Sequence, residues 1–423
     1  MIKNLILILF VMASGILHAQ DIDHLIQNNE FDKALLIIDQ KLIENDSQPE
    51  LYLKRGVILQ KRFDFNGAVT NLEKAYLLDS LNPTVLSEIA EANASLGNQK
   101  KTLVYLKSLY RKDTSNVANI IKLVRGYLNL RIYKEPFEIL QKAYNQDSTN
   151  LLINKQLALC SARTGHEDLS VKLYNKVISL NPFDPANYTN LASVYQTENR
   201  DTLVIETLEK GLNKLPEEPQ LLIKSGDFHL HLKEYAKAII PYEMYLAKVD
   251  SAPEVLKNLG ICYFLEKKSE KGRRLLEKSM LLKPDDPVVY FYIGMCYEDA
   301  GNFKKSIEYL NTAAKVTIPD FVTDIYHHLG IVYNLKEDYP KAIASLKKAY
   351  EEDTSQCSIL FEIATIYDKI ADSQPLALRY FTLYLKAAKE KNKFNIRLTQ
   401  YSTERKRKLK AELNSKVIKK SSL

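Results

Sequence analysis

The sequence predicts an all-α protein built from repeated helix pairs, because small residues recur in it at a spacing of 34. Nine of the ten positions in this register are Gly or Ala, and six of the ten are followed three residues later by Tyr. The ten positions, with a two-residue slip before the ninth, are Gly56, Ala90, Val124, Ala158, Ala192, Gly226, Gly260, Gly294, Gly330 and Ala364. A period of this length is typical of helical arrays, in which each repeat packs only on its neighbours.

Each repeat is predicted to contain two antiparallel helices, and residues 287–316 illustrate the pattern. Apolar residues at helical spacing fill the first part of this segment, which stops at Gly301 and Asn302, a helix end followed by a tight turn. A second helical pattern starts near Phe303. The small residue at Gly294 is expected to let the two helices approach closely, and a second small residue is expected to face it from the second helix.

Three copies of one motif carry a family resemblance: Leu259-Gly260-x-x-Tyr263, Ile293-Gly294-x-x-Tyr297 and Leu329-Gly330-x-x-Tyr333. In this motif the chain resembles the tetratricopeptide repeat family. The resemblance implies a right-handed α-α superhelix of about eleven helix pairs, running from about Asp21 to Lys389, with a C-terminal capping helix. HEAT and armadillo arrays have longer periods, of about 40–47 residues, and do not give the Gly-x-x-Tyr phase.

The two ends of the chain predict segments outside the array. Residues 1–19 have the pattern of a signal peptide, with Lys3 before an apolar stretch that is too short to span a bilayer comfortably. We therefore expect an exported protein, periplasmic or associated with the outer envelope, without a transmembrane helix in the mature chain. An uncleaved anchor remains the alternative. The array is assigned to residues 20–389 and a basic amphipathic capping helix to residues 390–423.

The charge of the chain is concentrated at its C-terminal end. The formal net charge is +7, while residues 389–423 alone contain twelve Lys or Arg and three Glu, an excess of +9. Apolar residues in this segment recur at helical spacing, as a cap for the last repeat requires. The basic run Arg405, Lys406, Arg407 and Lys408 also suits an anionic lipid or glycan at an envelope surface. Nucleic acid is not expected as a partner.

No set of residues in the sequence predicts catalysis, a cofactor or a metal. Sequence motifs for nucleophilic hydrolases, nucleotide-binding loops and zinc peptidases are absent from the sequence. His229 and His231 are two apart on a predicted helix and point in different directions, so they do not form a metal pair. Cys160, Cys262 and Cys296 share one repeat phase, and the spacing of neighbouring helices favours buried free thiols over a disulfide.

The family resemblance implies that the first helix of each repeat lines an inner groove, and the predicted lining differs between the two halves of the chain. In the N-terminal half it is polar: Glu50, Gln60, Lys61, Thr84, Ser87, Glu91, Arg125, Asn129, Lys155, Arg163, Thr189 and Gln196. In the C-terminal half it is apolar: Ile261, Phe264, Leu265, Phe291, Met295, Ile331, Leu335 and Phe361. The apolar set either packs between neighbouring first helices or forms a groove for a partner segment.

The sequence thus predicts a non-enzymatic scaffold of the bacterial cell envelope. Its expected partner is a protein or peptide segment held in the groove. The alternative function is an envelope-surface protein that binds anionic lipid or glycan through the basic C-terminal helix.

Overall fold

The computed structural model describes residues 22–249, 251–316, 319–393 and 395–421. The predicted signal peptide, residues 1–19, lies outside this part of the chain. Within the described residues all regular secondary structure is α-helical, and twenty-three helices follow one another in consecutive pairs. The prediction of an all-α array of helix pairs is therefore confirmed. In each pair we call the N-terminal helix the first helix and the other the second helix.

In its described residues, the first of two compact units, Met1–Lys214, contains six helix pairs. Its helices are α1 (Ile22–Gln27), α2 (Phe31–Glu44), α3 (Pro49–Lys61), α4 (Phe65–Leu78), α5 (Pro83–Ser95), α6 (Gln99–Lys112), α7 (Val117–Asn129), α8 (Lys134–Gln146), α9 (Leu151–Arg163), α10 (Glu167–Leu180), α11 (Pro185–Thr197) and α12 (Asp201–Lys214).

The described part of the second unit, Leu215–Leu423, contains five helix pairs and one final helix. Its helices are α13 (Pro219–His231), α14 (Tyr235–Leu246), α15 (Pro253–Leu265), α16 (Ser269–Leu282), α17 (Pro287–Asp299), α18 (Phe303–Val316), α19 (Pro319–Leu335), α20 (Tyr339–Glu352), α21 (Ser358–Lys369), α22 (Gln374–Glu390) and α23 (Ile396–Ser421).

Close approach of the two helices within a pair explains the small residues of the repeat. A Cβ atom built on Gly272 would lie 2.6 Å from the carbonyl oxygen of Gly260, which is closer than real Cβ atoms come to backbone. A Cβ atom on Gly294 would lie 2.9 Å from the Cγ atom of Leu310, on the second helix of the same pair. The backbones of a pair are thus too close for a side chain at these positions, as the sequence predicts.

The turn between the two helices of a pair has the same backbone conformation along the chain. A residue with positive φ ends the first helix at Gly97, Gly165 and Gly301, which are glycines, and also at Lys233 and Lys267, which are not. Backbone hydrogen bonds from the residues that follow satisfy the last carbonyl groups of the helix, as in a Schellman motif. The two helices of each pair are thus joined by the same kind of turn along the array.

The final helix α23 packs its inner face on the preceding pair. Leu409 is fully buried and joins a cluster with Ala364, Ala377 and Phe381, and Ser402 is also fully buried. This contact covers apolar surface that the last repeat would otherwise expose. Among the described residues, no helix combines the length and the apolar character that crossing a bilayer requires.

Candidate functional site

The predicted apolar groove residues of α15 and α17 lie mostly inside the repeat stack. Ile261, Phe264 and Phe291 are each less than a tenth exposed. The ring centroids of Phe264 and Tyr292 are 5.6 Å apart, and those of Phe291 and Phe321 are 5.1 Å apart, both with edge-to-face geometry. These side chains fill the space between neighbouring first helices, so they contribute to the core of the second unit.

The other five predicted groove residues keep part of their surface exposed. Leu335, at the end of α19, is 53% exposed. Three more are half-buried: Leu265 on α15, Met295 on α17 and Ile331 on α19. Phe361 on α21 is also half-buried, but its ring lies 5.7 Å from the ring of Tyr401 on α23. The exposed apolar surface on these first helices is therefore smaller than the sequence predicts.

In the first unit, the polar residues of the first helices surround a cavity that the sequence did not predict. The cavity has a volume of about 240 Å³ and lies between α5 and α7, with α6 beneath it. The lining residues are Ser87, Ala90, Glu91, Ala94, Thr102, Leu106, Lys122, Arg125, Gly126 and Asn129. The ammonium group of Lys122 donates to the hydroxyl oxygen of Ser87 across the cavity rim at 2.6 Å. Four of the polar groove residues named from the sequence are thus brought together.

Two adjacent histidines connect three first helices of the second unit. Nε2 of His327 on α19 lies 2.9 Å from both carboxylate oxygens of Glu362 on α21. Nδ1 of His328 lies 3.5 Å from Oε2 of Glu298 on α17, and its ring packs against Phe291. The hydrogen bond with Glu362 raises the pKa of His327 against the opposing effect of burial, and the nearby Asp324 and Glu298 raise it further.

The remaining nucleophile and metal candidates have structural surroundings. The four cysteines are free and buried, which confirms the prediction of free thiols. Burial raises the pKa of Cys160, Cys262 and Cys296 to about 12, so these thiols stay protonated and unreactive. His229 is held by Glu234 at 2.8 Å. Among the residues that the structure describes, no three His, Cys, Asp or Glu side chains form a group suited to a metal ion.

The four residues of the basic run on α23 have different surroundings. Arg405 makes two hydrogen bonds to the carboxylate of Asp368, at 2.7 and 2.8 Å, and a third to Glu412. Lys406 is half-buried, while Arg407 and Lys408 are exposed. Arg405 therefore fixes α23 to α21 and is already neutralised, whereas the exposed cations keep their contact with solvent.

Comparison with known families gives two matches, at residues 288–317 and 323–356, both to the family described as tetratricopeptide repeat. The chain contains tetratricopeptide repeats. The matched stretches correspond to the pair α17 and α18 and to most of the pair α19 and α20. Both contain the Gly-x-x-Tyr motif from which the sequence predicts the family.

Curated relatives with detectable similarity include subunits of multi-protein complexes. Anaphase-promoting complex subunit 3 of Schizosaccharomyces pombe is 19% identical over 62% of this chain and 39% of its own length. The BBSome complex member BBS4 of Bos taurus is 22% identical over 63% of this chain and 50% of its own length. The Drosophila melanogaster homologue of BBS4 is 22% identical over 78% and 64%. The chain thus spans about two fifths to two thirds of the length of these relatives.

Solved structures of tetratricopeptide repeat proteins align with this chain at low sequence identity. The C-terminal part of a repeat-containing protein from Cytophaga hutchinsonii gives a TM-score of 0.48 at 17% identity, covering 57% of this chain and 98% of that one. YrrB, described as a repeat protein with an unusual peptide-binding site, gives a TM-score of 0.40 at 18% identity, covering 47% and 97%. Proteins with tetratricopeptide repeats typically mediate protein–protein interactions.

Proposed function

We propose that this protein is a non-enzymatic scaffold that binds a segment of a partner protein on its first helices. The observation that carries this proposal is a row of partly exposed apolar residues on three consecutive first helices. It comprises Leu265 on α15, Met295 on α17, and Ile331 and Leu335 on α19. We call these four residues the apolar row.

Partly exposed Met and Leu side chains suit an adaptable contact with another chain. Met is unbranched and fills irregular gaps, and an amphipathic helix or an extended segment would bury the remaining surface of the row. A few such anchors dominate the binding energy of most interfaces. The buried rings of Phe264 and Phe291 would support the row from below, because they fix the positions of the helices that carry it.

A location in a bacterial cell envelope is part of the proposal and is supported by the sequence alone. The pattern of residues 1–19 favours export. A scaffold without catalytic groups is useful in an envelope where several proteins must be held together, as in secretion or the assembly of a surface structure. The partner would then be another exported or membrane-anchored protein.

Replacement of Met295 and Leu335 by Ser tests the row. Both side chains keep exposed surface, so the double variant should retain its helical circular dichroism and its melting temperature while losing two anchors. Burial of a whole Leu or Met is worth about 1.5–3 kcal/mol, so two partly exposed anchors should cost at least tenfold in partner affinity, about 1.4 kcal/mol. The readout is chemical cross-linking in the native cell, followed by identification of the captured proteins and measurement of their affinity.

A matched control uses exposed apolar residues on second helices. Leu281 on α16 is 79% exposed and Val316 on α18 is 41% exposed, and both can be changed to Ser together. The control variant should capture the same partners as the unmodified chain. If the double variant of Met295 and Leu335 captured the partners as well as the unmodified chain does, the proposal that the apolar row is the binding surface would be wrong.

A second candidate function is binding of an anionic lipid or glycan through α23, and the exposed cations Arg407, Lys408 and Lys410 favour it. Deletion of the helix would not test this function, because it would also remove the buried Leu409 and the contact of Arg405 with Asp368. Charge reversal of the three exposed cations to Glu avoids this problem. If α23 binds anionic lipid, this variant should lose its salt-sensitive binding to vesicles that contain phosphatidylglycerol.

The control for this experiment reverses three exposed lysines of the first unit, Lys172, Lys210 and Lys214. An equal loss of vesicle binding in the control would mean that overall charge, and not α23, is responsible. Intact binding in the α23 variant would exclude the helix as the lipid-binding element.

A further inference from the structure

Two small residues that line the cavity between α5 and α7, Ala94 and Gly126, stand where most repeats have larger side chains. Two residues after the small position of the register, most repeats have a fully buried side chain, such as Ile58, Cys160, Cys262 or Val332. In α7 this position is Gly126. A Cβ atom there would lie 2.9 Å from Cδ1 of Leu106, which itself lines the cavity. The glycine at this position therefore lets the side chain of Leu106 lie close against α7, and both residues line the cavity.

The opposite wall shows a second departure of the same kind. Four residues after the small position, most other first helices have larger side chains, such as Gln60, Gln196 and Phe264, whereas α5 has Ala94 and α9 has Ala162. Ala90 contributes a further small residue to the same wall. The floor of the cavity is thus formed by methyl groups and the side chain of Leu106, so it is apolar and open from above.

The rim of the cavity is polar, and its charge differs between the α7 side and the α5 side. Lys122, Arg125 and Asn129 follow one another at steps of three and four on α7, so they face the cavity together, and Arg125 is exposed. An ammonium group has three donors, and Lys122 directs one of them to Ser87. Glu91 lies on the α5 wall. The α7 side therefore favours an acidic group, while the α5 side disfavours one.

The size of the cavity favours a single side chain of a bound protein segment over a free small-molecule ligand. Sites for drug-sized ligands have volumes of about 300–1,000 Å³, and this cavity, at about 240 Å³, is smaller and open. One large apolar side chain would fit into it, with the main chain of the bound segment lying across the rim. In a segment bound in this way, the residues next to the inserted side chain would lie within reach of Arg125 and Lys122.

We propose that this cavity is a second anchoring site, which takes one aliphatic or aromatic side chain of a partner segment and holds a neighbouring Asp or Glu against Lys122 and Arg125 of α7. The inference rests on the proposed scaffold function, since it assumes that a protein segment is bound. The cavity site differs from the apolar row in its place in the chain and in the chemistry that it selects. The apolar row lies in the second unit, whereas this site lies wholly in the first unit and selects an acidic neighbour.

A phage-displayed library of random dodecapeptides, selected on the full chain, tests the site without knowledge of the natural partner. Enriched peptides should share a Leu, Ile, Met or Phe next to an Asp or Glu. Two variants act on the cavity itself: Ala94→Leu fills it, and Arg125→Glu reverses the charge of its rim. Each should weaken the enriched peptides at least tenfold, as measured by calorimetry on synthetic copies.

Each variant has a control in the same unit. Ala162→Leu on α9 places the same side chain at the same register position of a first helix that does not line the cavity, and Arg111→Glu reverses an exposed cation on α6. Both controls should bind the peptides like the unmodified chain. Circular dichroism and melting temperature verify that all four variants are folded. Because Arg125 is exposed, its variant keeps the test valid if Ala94→Leu disturbs packing.

The outcomes separate this site from the apolar row. Enriched peptides that bind both cavity variants at full strength would overturn the proposal, as would a selection that enriches no peptide. If the peptides are instead lost only with Met295→Ser and Leu335→Ser, the scaffold function stands and the cavity is not an anchor. If the cavity variants weaken the peptides while those Ser changes leave cellular capture intact, the cavity is an anchor and the apolar row is not.

Discussion

The first helices of the two compact units use equivalent repeat positions in opposite ways. In the second unit the large side chains of Phe264 and Phe291 pack between the first helices, and little of their surface remains exposed. In the first unit Ala94 occupies the position equivalent to Phe264 and Gly126 the position equivalent to Cys262, and a cavity remains between α5 and α7. Side-chain volume, and not polarity alone, therefore decides whether a repeat position stabilises the stack or leaves a binding site.

The largest expected effect comes from the buried rings of the second unit. Changing Phe264 and Phe291 together to Ser should destabilise this unit severely, because each loss of a buried Phe side chain costs about 3–5 kcal/mol. The measurement is urea or thermal unfolding followed by circular dichroism. The double variant Met295→Ser and Leu335→Ser serves as the control and should unfold like the unmodified chain. An unchanged transition in the Phe variant would show that the rings form an open groove surface and would remove the contrast between the units.

A smaller effect is expected from the closest helix contact, between Gly260 and Gly272. Gly272→Ala places a Cβ atom against backbone that has no room to move aside, so it should destabilise the protein by about 1–3 kcal/mol. Gly260→Trp should cost at least as much for the same reason. Lys278→Ala on the exposed face of the same helix α16 should change stability by less than about 0.5 kcal/mol. Equal stability of Gly272→Ala and Lys278→Ala would contradict the close approach of α15 and α16.

The smallest expected effect is a dependence of stability on pH in the second unit. The pKa of His327 is raised above its usual value by Glu362, so the contribution of this pair is fully present below about pH 6.5 and is lost as the pH rises through the folded-state pKa. Because both side chains are partly exposed, we expect less than about 1 kcal/mol. Melting temperatures of the unmodified chain and of Glu362→Gln should therefore differ most near pH 5.5–6 and converge near pH 8–9.

The control for the pH experiment is His24→Gln, which changes an exposed histidine of the first unit. It should leave the pH profile of the melting temperature unchanged. A difference between the unmodified chain and Glu362→Gln that grows with rising pH would show that the sign of the His327 shift is wrong.

The helix-pair repeat could be predicted from the sequence because the contacts and turns that produce it are local and recur in each copy. The 34-residue register at Gly260 and Gly294 reports the close contact of two helices, and the Gly301-Asn302 pair reports the turn between them. The equivalent turns at Lys233 and Lys267 carry no such signal, since backbone hydrogen bonds enforce a positive φ without a glycine. In a repeat protein, one clear copy is sufficient to predict the conformation of its weaker neighbours.

The surface of the first helices could not be read in the same way. The sequence places Phe264, Phe291 and Leu335 in one class of positions, yet two of them are buried and the third is more than half exposed. Likewise, the run Arg405 to Lys408 looks uniform, but Arg405 is held by Asp368, which is 37 residues earlier in the chain. A position on the helix gives the direction of a side chain, whereas its exposure depends on the neighbouring helix.

The sequence by itself determined the all-α class, the helix pairs and their small contact residues, because these follow from local spacing and from the size of single side chains. Only the tertiary structure decided which first-helix residues are covered, and that a cavity opens beside Leu106. The physical reason is that the lining of the cavity combines small residues of two different helices, Ala94 on α5 and Gly126 on α7. Such a coincidence becomes visible only when both helices are placed side by side.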